Sequence, residues 1–272
     1  MVRKIIIIGG GIVGASFAYH ASLNNIGKIV LFSETLPGDS RQATTNTWGW
    51  VNGYANNDKE YASLRLASLN YWPILIKNIE TISYTSKGAF FWDLKDTDLY
   101  QIVDQHYSWG HNVEIKTTTN LKQSLPNLLH IPNNAGYGKN DLAIEASQIT
   151  KELLKISQAE IIEKKVTKLL IKNNEVDGVQ IGDEIHYADE VILGTGLGTP
   201  DILKSIGINF NMKSTLGLLA YSNKLPSILK YPITGKDFHA RQDNNGRLII
   251  GGQFDDDASK ESKIEEVAKK LI

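Results

Sequence analysis

Gly9, Gly11 and Gly14 lie within the run Gly-Gly-Gly-Ile-Val-Gly at positions 9–14, and an acid, Glu34, follows. The spacing is G-x-G-x-x-G with an acid about twenty residues further on, and the chemistry it supports is the holding of a dinucleotide. Gly9 permits a tight turn, Gly11 has no side chain to keep a pyrophosphate off the backbone, and Gly14 lets a helix lie close to a strand. Free N–H groups and the positive dipole end of that helix face the phosphates, and Glu34 is placed to accept hydrogen bonds from ribose hydroxyls. Alone the glycine spacing is weak, because glycine clusters also make ordinary turns.

The elements that must position these residues can be read around them. Ile5, Ile6, Ile7 and Ile8 form an apolar run that predicts a strand buried on both faces of a parallel sheet. Residues 15–24 have helical spacing with Phe17, Ala18 and Ala21 on one side, and residues 28–32 predict a second strand leading to Glu34. A second informative stretch is 188–198, an apolar strand ending in Gly194 and Gly196. Small residues there let the backbone pass close to a bound group, although a plain strand-to-helix turn would look the same. In a doubly wound sheet this is the ligand-facing edge.

Residues 42–52 combine hydroxyls, an amide, a glycine and two indoles. They suit phosphate oxygens at one end and a flat ring against Trp48 or Trp50 at the other; a polar loop with two packed tryptophans fits as well. Helical spacing over 58–79 places Tyr61, Leu64, Leu69, Trp72, Leu75, Ile76 and Ile79 in the apolar set, with a kink or break at Pro73. Further on, the sequence predicts a strand at 88–92, helices at 93–107, 121–129 and 144–154, a loop at 131–136, and one bent strand or two over 160–172. Asn173 and Asn174 mark a hairpin, 201–206 a helix, 216–221 a strand, and 243–246 the turn of a second hairpin. A last helix carries Ile264, Val267, Ala268 and Leu271 on one face, capped by the run Asp255 to Asp257.

The chain has 272 residues, 29 basic and 30 acidic, net charge −1, and no cysteine. The charge balance points to neither nucleic acid nor an anionic membrane, and the lack of cysteine excludes disulfides, thiolate metal sites and a cysteine nucleophile. The six histidines, at 20, 106, 111, 130, 186 and 239, have no metal-ligand spacing. The apolar start is better explained by the glycine turn than by a signal peptide and is too short to span a bilayer. A cytoplasmic location is the expectation, with peripheral membrane association left open.

Taken together, the glycines at 9–14 with Glu34, the stretch 44–50, the strand 88–92, the turn 191–198 and the stretch 246–252 resemble the FAD-dependent oxidoreductases of the D-amino-acid oxidase type. That group includes glycine oxidase, sarcosine oxidase and D-amino-acid dehydrogenase. The resemblance implies an α/β fold, a Rossmann-like parallel sheet with an inserted α+β antiparallel-sheet domain. It divides the chain into a FAD-binding domain of residues 1–82 and 140–212, a substrate domain of 83–139 and 213–256, and a terminal helix at 257–272.

By that resemblance, Gly9, Gly11, Ile12, Val13 and Gly14 hold the pyrophosphate of FAD and Glu34 its ribose. Thr44, Thr45, Trp48, Gly49 and Trp50 run along the flavin, Val166 meets the adenine side through its backbone, and Gly194 and Gly196 form the second cofactor turn. FAD is expected to be non-covalent, since Trp48 and Gly49 stand where some relatives attach it through histidine. The implied reaction is oxidation of the C–N bond of an amino acid or secondary amine by hydride transfer to flavin. His239, Arg241 and Trp50 are the substrate-pocket candidates, an arginine fork suiting a carboxylate, although alternation on a surface strand would also place His239 and Arg241. The family continues past the point where this chain stops, so a truncated, inactive fragment or one half of a two-chain flavoprotein is a further expectation. A nicotinamide-linked dehydrogenase is another, against which the turn at 191–198 argues. The amine and the electron acceptor stay open.

Overall fold

The computed structural model describes residues 2–54, 58–92, 96–213, 217–235 and 238–252. The terminal helix and the acidic run at 255–257 lie outside the described residues.

The chain forms two compact units, Met1–Thr47 with Ala146–Ser214, and Trp48–Glu145 with Thr215–Ile272. In the first unit, four parallel strands lie in the order Glu190–Leu193, Lys4–Ile8, Lys28–Phe32, Glu160–Ile162. Lys4–Ile8 is interior to this sheet and Ile5 to Ile8 are all buried, which is why it reads as an unbroken apolar run. The helix Ile12–Leu23 follows it and buries Gly14, Ala15, Ala18, Tyr19 and Ala21. Phe17, expected on the packed side with Ala18 and Ala21, is exposed, because the buried face of the helix runs through Gly14, Ala15, Ala18 and Tyr19 instead. A separate antiparallel sheet of Lys168–Lys172, Glu175–Ile181 and Glu184–Tyr187 extends the core through Leu169 and Val179. The span 160–172 is therefore two strands in two sheets. Asn173 and Asn174 both adopt positive φ, 51° and 65°, the conformation of a tight hairpin turn.

The second unit is built on a mixed sheet, in the order Leu218–Lys224, Arg247–Gly252, His239–Gln242, Ile233–Thr234, Tyr84–Phe91, Asn134–Ile144, Trp50–Val51, with Val113–Thr117 also paired to Asn134–Ile144. Its pairings are antiparallel except that Ile233–Thr234 runs parallel to Tyr84–Phe91. Asn134–Ile144 covers the stretch read as loop at its start. Gly136 and Gly138 there make room for the Phe91 ring and the Asp141 carboxylate, since a Cβ at either position would collide with them. The helix Lys59–Asn78 is capped by Asp58, whose side chain accepts from the Tyr61 N–H at 2.8 Å, and it runs on through Pro73. Its buried face is Ala62, Leu66, Leu69 and Leu75; Tyr61 and Leu64, assigned to the apolar set by spacing, are exposed. Among the described residues no helix is long and apolar enough to cross a membrane.

Candidate functional site

The first unit brings the two glycine stretches of the sequence into one cradle. Gly9 has φ of 106°, open to glycine, and a Cβ there would fall on the carbonyl of Gly194. A Cβ on Gly14 would fall on the carbonyl oxygen of Gly9, and one on Gly194 would meet Gly14 at 3.0 Å. The Gly194 N–H donates to the Ile8 carbonyl at 2.8 Å, locking the end of one strand beside the end of the next. These three glycines are required by backbone against backbone. Gly11 differs: a Cβ there would meet only the Thr44 hydroxyl, at 3.3 Å.

That difference tests the fit of a phosphate. The helix Ile12–Leu23 has no acid in its first turn and no side-chain cap from Gly11. Thr44 Oγ1 accepts from the Ile12 N–H at 3.1 Å, and no acceptor among the described residues is bonded to the N–H groups of Gly11 and Val13. A helix start whose Gly11 and Val13 N–H groups meet no acceptor among the described residues, with an open approach at Gly11, suits the pyrophosphate of a dinucleotide. Thr45 turns elsewhere and accepts from the Gly38 N–H.

Glu34 lies just past Lys28–Phe32 and is half-exposed, with Lys165 Nζ at 2.9 Å and Arg41 Nη1 at 4.0 Å. Exposed pairs of this kind are worth at most about 1 kcal/mol, so a ribose hydroxyl can compete for the carboxylate. Arg41 hydrogen-bonds Asp39 and holds that carboxyl down to about 2. Val166 is buried in the core beside Val30 and Phe32, between the strands Glu160–Ile162 and Lys168–Lys172. Gly196 opens a short turn with φ of 52° in open space.

In the second unit, Trp48, Trp50, Asn52, Tyr54, Arg65, Phe91 and Thr234 line a cleft of about 360 Å³. The indoles of Trp48 and Trp50 lie with centroids 5.3 Å apart at 50°, and Tyr54 meets Phe91 at 5.3 Å. Trp50 is held at both ends: its backbone pairs with Ala143, and its Nε1–H donates to Asp141 Oδ2 at 3.2 Å. Asp141 is fully buried and also bonds His111 Nε2 at 2.9 Å. Gly49, φ 71°, permits the close pass in which its carbonyl accepts from the Ile144 N–H at 2.9 Å.

His239 and Arg241, the two remaining substrate candidates, join this cluster differently. Arg241 is 2% exposed; its guanidinium bonds Glu145 at 2.7 and 3.2 Å and donates to the Trp48 carbonyl. Its fork is therefore engaged within the fold, and a substrate carboxylate would have to displace Glu145. The His239 ring lies 4.4 Å from Trp48, its Nε2 is buried without a hydrogen bond, and desolvation lowers its pKa. The folded chain thus takes up this proton less readily than the unfolded chain, so His239 contributes stability above about pH 6.5 that is lost as pH falls. The midpoint of urea unfolding is expected to fall between about pH 7 and pH 5.5, and His239→Gln to flatten part of that fall. An identical pH slope in the two proteins would remove His239 as a source of it.

Sequence reading did not single out Arg65, Asn52 or the pair His111 and Asp141. One signal for Arg65 was available: no acid stands three or four residues to either side of it on the helix. Among the described residues no cluster could hold a metal ion.

A parallel sheet with a glycine cradle at its strand ends is the architecture of dinucleotide-binding proteins. The match to known sequences is more specific: residues 4–272 match the DAO family of FAD-dependent oxidoreductases, and the chain belongs to that family. FAD is its cofactor. An uncharacterized oxidoreductase of Bacillus subtilis (strain 168), YurR, is 24% identical over 274 residues, 94% of this chain and 73% of that protein. Among solved structures, L-proline dehydrogenase from P. horikoshii superposes with a TM-score of 0.85 at 16% identity, over all of this chain and 77% of that one. Glycine oxidase from Bacillus cereus ATCC 14579 superposes with a TM-score of 0.81 at 22% identity, over 99% of this chain and 78% of that one.

Proposed function

We propose that this flavin-dependent oxidoreductase oxidises the C–N bond of a small amino acid or secondary amine. The observation that carries the reading is the cradle of Gly9, Gly14 and Gly194 with its open approach at Gly11, in a chain whose structural relatives include a proline dehydrogenase and a glycine oxidase. In this reading the first unit holds FAD and the second holds the substrate. Gly11, Ile12 and Val13 offer N–H groups to the pyrophosphate while Gly9 and Gly14 shape the turn. Glu34 takes the ribose, Val166 the adenine side through its backbone, and Gly194 and Gly196 the second turn.

FAD, when bound, supplies the two-electron acceptor for hydride removal from the carbon bearing nitrogen. The remaining work falls to the chain: Thr44, Thr45, Trp48, Gly49 and Trp50 run beside the flavin, and the aromatic walls of the cleft exclude water and orient the substrate. Asp141 keeps the Trp50 indole in place through Nε1. Neutral His239 beside Trp48 adds no charge to the cleft region near neutral pH.

The test is anaerobic mixing of the FAD-loaded chain with glycine, proline, N-methylglycine and larger amino acids of both hands. Bleaching of the flavin absorbance by at least one of them, with formation of the carbonyl product, is expected. The corresponding 2-hydroxy acids should leave the spectrum unchanged. Tight FAD binding with no bleaching by any amine would sink the amine-oxidation reading and leave the cofactor assignment standing.

A further inference from the structure

Asp141 is a fully buried carboxylate, and several residues of the second unit are arranged to house it. The Trp50 Nε1–H donates to its Oδ2 at 3.2 Å, and His111, buried as well, bonds its Oδ1 through Nε2 at 2.9 Å. A Cβ on Gly138 would fall 2.5 Å from the carboxylate, and one on Gly53 would meet the His111 ring at 2.9 Å, so both glycines leave the space that this pair fills. His111 Nδ1 is buried and meets no hydrogen-bond partner among the described residues. An imidazolium would strand an N–H there, whereas the neutral ring with its proton on Nε2 leaves only a lone pair. The neutral ring therefore fits, and the pair carries one negative charge. Among the described residues no lysine or arginine is paired with Asp141.

The lining of the cleft is aromatic in part and includes the polar Asn52, Arg65 and Thr234; Trp50 belongs to it and Asp141 does not. A tryptophan face attracts a cation through its ring quadrupole. A negatively charged acceptor on Nε1–H raises the electron density of that ring, and at a fully buried position water does not screen the charge. We infer that Trp50, polarised by Asp141, is the face that receives the positively charged nitrogen of the amine substrate. Asp141 is the positioning residue: it fixes the indole and strengthens its attraction for a cation without touching the substrate. Trp48 meets Trp50 at 50° with centroids 5.3 Å apart, so the two indoles form a corner rather than a flat stack. This deepens the amine-oxidation reading and rests on it for the identity of the cleft as the substrate site.

The experiment uses glycine betaine and 3,3-dimethylbutyrate, which have the same shape and the same carboxylate and differ in a quaternary nitrogen against a carbon. That nitrogen keeps its charge at every pH and donates no hydrogen bond. The shared carboxylate cancels whatever it gains from Arg65, and the charge of Arg65 works against betaine rather than for it. Each compound is titrated calorimetrically into FAD-saturated protein. Betaine is expected to bind at least about tenfold more tightly. Asp141→Asn, which keeps an acceptor for Nε1–H and removes the charge, should cut that preference at least about threefold and leave 3,3-dimethylbutyrate unchanged. Trp50→Phe, which keeps a ring and removes the Nε1–H link, should cut it as well, and it decides if Asp141→Asn does not fold, as urea unfolding would show. Equal binding of the two compounds, no binding of betaine, or an unchanged ratio in a folded variant would overturn the inference. A betaine preference that depends on Asp141 in a protein whose flavin no amine bleaches would support the cation face and count against amine oxidation alone.

Discussion

Gly11→Ala is expected to leave the fold standing and to weaken FAD at least about tenfold, whereas Gly14→Ala should unseat the fold of the first unit itself. The two changes add the same methyl group. At Gly11 it meets only the mobile hydroxyl of Thr44 at 3.3 Å, and the backbone, with φ of −74°, suits alanine. Stability should therefore stay within about 1 kcal/mol of the natural protein. The methyl would, however, stand over the free N–H groups of Gly11 and Val13 and hold a pyrophosphate away from them. At Gly14 the methyl falls on the Gly9 carbonyl, and Gly9 cannot retreat because Gly194 lies against it. Overpacking of a rigid backbone contact costs about 1–3 kcal/mol or more. Urea unfolding and a FAD titration on both variants separate the two effects. A Gly14→Ala protein of natural stability would contradict the interlocked cradle.

Arg241→Met is expected to destabilise the second unit by about 3–5 kcal/mol, the cost of leaving one partner of a buried ion pair uncompensated. Arg241 is nearly inaccessible, and removing it would strand the Glu145 carboxylate and free the Trp48 carbonyl together. Glu145→Gln should cost less, since Glu145 keeps some contact with water and the amide oxygen can still accept from the guanidinium. Loss of the Trp48 tether would loosen one wall of the cleft. A change of less than about 1 kcal/mol in Arg241→Met would show that the pair does not hold this region.

How far the sequence speaks depends on how each unit is buried. Lys4–Ile8 and Lys28–Phe32 are legible because strands covered on both faces must be apolar throughout. The hairpins at Asn173 and at 243–246 are legible because Asn and Gly are the residues that accept their positive φ. The strand Asn134–Ile144 was hidden by the same vocabulary. Its Asn and Gly residues look like a loop, and only the Phe91 ring and the Asp141 carboxylate explain why glycine is needed there. On the helix Lys59–Asn78, spacing alone gave Leu64 to the apolar set, although the partner elements cover the Leu66 and Leu69 face instead.

The same contrast separates the two sites. The glycine cradle is built from two local stretches, each marked by its own glycines, so Gly9 to Gly14 and Gly194 stand out in the sequence although their contact does not. The cleft is made by contacts across long sequence separations, such as Trp50 with Asp141 and Trp48 with Arg241, which no spacing encodes. Arginine type pointed to Arg241 as the carboxylate partner. Its ion pair with Glu145 became visible only in three dimensions, and so did the hydrogen bonds of Arg65 to Asn52.

The central claim is that the cradle of Gly9, Gly11, Gly14 and Gly194 grips the adenosine and pyrophosphate end of FAD. The most direct measurement is an equilibrium titration of FAD by flavin fluorescence, with ADP and FMN as competitors. ADP should displace FAD competitively, FMN should not, and Gly11→Ala should weaken FAD and ADP in parallel. Displacement by FMN with no effect of ADP, or an unchanged FAD affinity in Gly11→Ala, would contradict the account.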